Sequence, residues 1–90
     1  MAFVQHATLV ANTVNTLTFA TNGSTVEVLN VDGAAEVYFR ADGINPTVGG
    51  TNCHLLPAAV NSLEVADETT GNSEVRLISA GTPRVSVRVR

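Results

Sequence analysis

The side chains best suited to covalent or acid–base chemistry in this 90-residue chain are His6, Cys53 and His54. A hydrolytic centre needs a nucleophile, a base within hydrogen-bond reach and a group that orients the base. Neighbouring residues on a strand point to opposite faces, so Cys53 and His54 on an extended segment cannot form a thiolate–imidazole pair. Cys53 reads as a small buried hydrophobe, and His54 as a surface or groove residue. Zinc requires clustered Cys and His at short fixed spacings, which the sequence does not contain. Asp67-Glu68-Thr69-Thr70-Gly71-Asn72 gathers oxygen ligands of the kind calcium takes, but at no dedicated spacing, so a solvated turn is the simpler reading. The expectation is a chain with no catalytic residue, metal or cofactor.

Binding chemistry offers more. Carbohydrate sites usually present an aromatic platform. Tyr38 is the single aromatic residue at an outward-type position, whereas Phe3, Phe19 and Phe39 read as core. Arg84, Ser86, Arg88 and Arg90 alternate with Val85, Val87 and Val89, which places them on one face of one strand. That row suits either a solvated face guarding an edge strand or a docking stripe whose planar guanidinium forks take a partner's carboxylates. Tyr38 and Arg40, outward on their own strand, are further contact candidates. So are Phe3 and Val4 in the apolar start Met1-Ala2-Phe3-Val4, where residues 1–7 could act as a contact arm.

The elements that must position these groups are extended. Apolar residues make up 44% of the chain and aromatics 4%, while Val, Thr and Asn are abundant, a composition that suits pleated surfaces and turns. Strand signals fall at Thr8-Leu9-Val10, Val14 to Phe19, Val26 to Val31, Glu36 to Arg40, Cys53 to Leu56, Ser62 to Val65, the Val75/Leu77 pair, and Arg84 to Arg90. Asn22-Gly23 and Asp32-Gly33 mark hairpin-type turns. The alternation slips after Val28, which predicts a bulge near Val28–Asn30. Pro57-Ala58-Ala59-Val60 makes at most one helical turn. Seven to eight short strands with turns every 8–12 residues predict an all-β, two-sheet antiparallel sandwich, immunoglobulin-like or jelly-roll-like, as a single domain over 1–90.

The same sequence argues against other classes. A net charge of −3 speaks against electrostatic nucleic-acid binding, and no apolar run reaches membrane-spanning length or resembles a secretory leader. A lone cysteine excludes an internal disulfide and fits synthesis in a reducing cytoplasm. All five cations are arginine. A domain this small buries only roughly 63% of its unfolded surface and gains from an assembly partner.

Val37-Tyr38-Phe39-Arg40, Asp42-Gly43-Ile44-Asn45-Pro46-Thr47-Val48-Gly49-Gly50, Leu56-Pro57-Ala58 and Val75-Arg76-Leu77-Ile78-Ser79-Ala80-Gly81 together resemble small structural proteins of tailed bacteriophages, notably those of actinobacterial hosts. The resemblance spans about residues 30–81. It implies a virion component, most like a capsid decoration (cement) protein. Such a protein would be made in the bacterial cytoplasm, mounted on the capsid exterior and bound to the major capsid protein as a homo-oligomer, with a trimer favoured. A tail or fibre module that binds host-surface glycan is the alternative. A similar Asp-Gly-x-x-Pro turn also occurs in immunoglobulin-like accessory domains of bacterial carbohydrate enzymes, a third reading. No reactive group lies in the 42–50 loop, which reads as a shaped projection between strands.

Overall fold

A computed structural model describes residues 3–90. Eight strands follow in order: β1 Phe3–Thr8, β2 Asn15–Thr18, β3 Thr25–Asn30, β4 Val37–Arg40, β5 His54–Leu56, β6 Asn61–Ala66, β7 Glu74–Ile78 and β8 Arg84–Val89. They form two four-stranded antiparallel sheets, ordered β1-β8-β3-β6 and β2-β7-β4-β5. The pairs β1–β8, β2–β7, β3–β6 and β4–β5 are those of one long hairpin folded at its middle. The additional pairs β3–β8 and β4–β7 roll that hairpin into two layers. This winding is a jelly roll.

Period-two patterning supplies the driving force. On β8, Val85, Val87 and Val89 are buried, and Val87 and Val89 lie opposite the buried Val28 and Val26 of β3. Leu17, Val37, Phe39, Leu56, Val75 and Leu77 face them from the other sheet. Each such aliphatic burial stabilises the fold by roughly 1.5–3 kcal/mol.

Five local expectations change. Asn22-Gly23 and Asp32-Gly33 do not close hairpins, because each joins strands that lie in different sheets. The β3 register runs unbroken against both neighbours, so there is no bulge at Val28–Asn30. The inward phase is kept by buried Asn30, which donates to the carbonyl oxygens of Ala35 (2.9 Å) and Pro57 (3.1 Å) and accepts from Gly33 N–H (3.1 Å). The first strand lies at Phe3–Thr8 rather than at Thr8-Leu9-Val10. Leu9 is buried just beyond it, and Val10 is exposed. Within the expected arm, residues 3–7 are paired along β8, and Met1 and Ala2 lie outside the described residues. Finally, β8 is an interior strand between β1 and β3, so its arginine row does not guard an edge.

Candidate functional site

Outward residues of β4 meet the long β4–β5 connection. Register places Arg40 opposite Arg76 of β7, two like charges side by side. Each takes its own carboxylate. Arg40 grips Asp42 with both nitrogens of its fork (Nε to Oδ1 3.1 Å, Nη2 to Oδ2 2.6 Å), and Arg76 Nε reaches Glu74 Oε1 at 2.5 Å. Arg76 Nη1 also donates to Asn45 Oδ1 at 2.7 Å, which ties the loop down to the sheet. Asp42 Oδ1 accepts the Ile44 N–H (3.1 Å), and Gly50 N–H closes a turn on Thr47 O (2.9 Å). The Arg40 guanidinium holds the Asp42 carboxyl below its ordinary range, with the Ile44 N–H adding to the effect. In return Asp42 raises Arg40.

The result is a braced projection. Ile44 and Val48, 54% and 42% exposed, stand out from it, and Leu55 on β5 adds a neighbouring apolar side chain at 45%. Tyr38 lies half-buried on β4 and donates to Glu36 Oε1 at 3.2 Å. Desolvation first, and then the Glu36 charge, hold its phenol above the ordinary value.

A groove of about 380 Å³ opens beside this loop, lined by Arg40, Asp42, Asn52, Cys53, His54 and Glu68 among others. A second hollow of about 440 Å³ shares Arg40, Asn52 and Cys53 with it. Cys53 and His54 both border the groove but engage different partners. Cys53, half-buried rather than fully buried as expected, turns its thiol to the carbonyl oxygens of Gly50 (3.4 Å) and Thr47 (3.5 Å). The exposed His54 ring lies against Phe39, with centroids 5.1 Å apart. Among the described residues no cluster of His, Cys, Asp and Glu could hold a metal ion. In the Asp67–Asn72 loop, Asp67 accepts from Thr69 N–H (3.0 Å) and from the Ser73 hydroxyl, so that carboxylate is occupied by its own turn.

The arginine row faces outward on the other sheet. Arg88 meets Glu27 at 2.7 Å, Arg90 meets Glu64 at 2.8 Å, and Ser86 Oγ lies 3.0 Å from His6 Nδ1. The carboxylates a docking stripe would seek are thus supplied from within the chain at Arg88 and Arg90. Arg84 is exposed and enters no ion pair among the described residues. Phe3 packs on the core, and Val4 is 50% exposed on the outer face of β1. The candidate contacts therefore fall on two sheets: Tyr38 and Arg40 on one, Val4, Arg84, Arg88 and Arg90 on the other.

Sequence reasoning missed Ile44, Val48 and Arg76 as members of the loop site. The signal was present as two apolar residues inside an Asp/Gly/Pro-rich loop, flanked by strand arginines with acidic neighbours two positions away. Neither a known protein family nor a curated protein matches this chain.

Proposed function

We propose that the chain is a non-enzymatic structural protein of a tailed-phage virion that decorates the capsid and braces it by binding major capsid subunits as a symmetric oligomer. The observation that carries the reading is the braced 42–53 loop. The segment that resembles phage structural proteins is the one pinned to the sheet by Arg40–Asp42 and Arg76–Asn45, with Ile44 and Val48 left exposed. A loop ordered before binding loses little conformational freedom on docking, and exposed aliphatic side chains suit a protein partner. The jelly-roll winding, a frequent architecture of viral capsid domains, agrees with this at the level of fold.

The test is co-sedimentation of the purified protein with undecorated capsids of its phage. Binding is expected, and Ile44→Asp together with Val48→Asp should weaken it at least about tenfold. Failure of the unaltered protein to sediment with capsids overturns the reading.

A second reading, a tail or fibre module for host-surface glycan, is favoured by the polar groove, where Arg40, Asp42, Asn52 and His54 could meet sugar hydroxyls. Glycan retention that is lost in Asn52→Ala, alongside indifference to capsids, would select it.

A further inference from the structure

The two long edges of the sandwich are finished differently. At the β1/β2 edge, inward-leaning Gln5 crosses to the other sheet and donates to Thr18 O at 2.6 Å, while Phe3 and Ala7 pack on the core. At the β5/β6 edge, by contrast, apolar side chains remain exposed. Leu63 of β6 lies opposite buried Val28 and so points to the inner side, yet it is 36% exposed. Val60, in the connection leading into β6, is 68% exposed. Among the described residues, strand β6 pairs with β3 on one side and with no strand on the other. It carries no proline, and its one charged side chain, Glu64, lies on the outer face paired with Arg90 and not on the inner side.

The sequence of β6 can also pair with itself without opposing like charges. In antiparallel pairing about a two-fold axis perpendicular to the sheet, inner positions must meet inner positions. Only registers centred on a residue satisfy this. Centring on Glu64 sets two carboxylates directly opposite, which is destabilising. Centring on Leu63 sets Leu63 against Leu63 on the inner face and Glu64 against Ser62 on the outer face, with Val65 against Asn61. In that register the carboxylates are offset, and each remains beside its own Arg90 (2.8 Å).

We infer that β6 is a self-association edge, at which a second copy of this chain adds its own β6 antiparallel with Leu63 on the two-fold axis. The two copies then share one eight-stranded outer sheet, and Leu63 gains the cover it lacks. The contact is two-fold, unlike the three-fold order that the phage resemblance implies. It rests on the edge geometry and not on the capsid reading. One strand edge covers less area than the roughly 1,200 Å² of a standard interface, so the dimer is a weak one, seen at high protein concentration.

Sedimentation equilibrium of the full chain over a range of concentrations tests this without any capsid present, so its outcome is independent of co-sedimentation. A reversible monomer–dimer equilibrium is expected. Leu63→Lys should weaken it at least about tenfold while the far-ultraviolet circular dichroism stays unchanged. In a Cys53→Ser background, Leu63→Cys should form a disulfide-linked dimer under mild oxidation, and Val4→Cys on the opposite edge should not. A chain that remains monomeric at every concentration overturns the inference. So does a dimer that is insensitive to Leu63→Lys, or one cross-linked through Val4→Cys.

Discussion

Arg88 of β8 reaches across to Glu27 of β3 at 2.7 Å, although the two residues lie 61 positions apart in the chain. Glu27 in turn sits opposite Glu64 of β6, and Arg90 takes up Glu64 at 2.8 Å. The outer face of this sheet is thereby a row of alternately satisfied charges. Two glutamates that would repel each other are each paired with an arginine from the terminal segment. Both ion pairs are partly solvated, with side chains 30–51% exposed, so each contributes modestly.

Replacing Arg88 with Ala should therefore lower stability by only about 0.5–1 kcal/mol. Arg88→Glu should cost about 2 kcal/mol, because it places a third carboxylate beside Glu27 and Glu64. Urea unfolding of both variants checks this, and adding Glu27→Arg to Arg88→Glu should recover part of the loss.

The interior polar group gives a larger effect. Asn30→Leu removes the partners of Gly33 N–H and of the Ala35 carbonyl oxygen in one step, while Pro57 O keeps the Ala59 N–H (2.8 Å). A buried polar group left unsatisfied costs about 1–3 kcal/mol, so a loss of about 3 kcal/mol is expected. The same unfolding experiment reads it, and Asn30→Leu should fall well below Arg88→Ala.

Two glycines with positive φ should respond differently to alanine. Gly49 (φ +73°) has open space around the added Cβ, so Gly49→Ala should cost about 1–2 kcal/mol of backbone strain alone. Gly33 (φ +63°) would bring its Cβ to 2.8 Å from the Ala59 backbone. Gly33→Ala should add a packing penalty of about 1–3 kcal/mol to the same strain. Thermal unfolding of the pair separates the two contributions.

The Arg40–Asp42 pair fixes a pH dependence. The folded-state value of Asp42 is depressed by Arg40, so its stabilising contribution is fully present above the ordinary value of 3.8. The contribution fades as pH falls below that value and through the depressed one, once the unfolded carboxyl binds a proton more readily than the folded one. Asp42→Asn should flatten that part of the stability profile. The difference should be small, about 0.5–1 kcal/mol, as for a pair of limited burial. Denaturation followed between pH 2 and 6 checks it, and an unchanged acid limb would separate the pair from acid unfolding.

Much of the local structure was legible in the residues. Val85, Val87 and Val89 in strict alternation, and Val37 and Phe39 flanked by polar neighbours, stand where their patterns put them. Asp32-Gly33 turns the chain as its residues suggest, but between strands of different sheets and not within a hairpin. The misreadings arose where a polar residue occupies an inward position. Gln5 hid the alternation of β1, and Asn30 at a buried site imitated a slip in phase that the register does not contain. The loop site was visible as a rigid turn, but its attachment to the sheet was not, because Asn45 and Arg76 are 31 positions apart.

Alternating valines and threonines determined, without any tertiary information, that this chain forms short half-buried strands stacked in two layers, since period two is a property of neighbouring residues. Three matters were decided by the tertiary structure. They are the jelly-roll winding, the interior place of β8 with its arginines paired to Glu27 and Glu64, and the exposure of Leu63 on the end strand β6. Each depends on which distant strands lie side by side, and strand order follows from packing and register across the whole chain rather than from any local pattern.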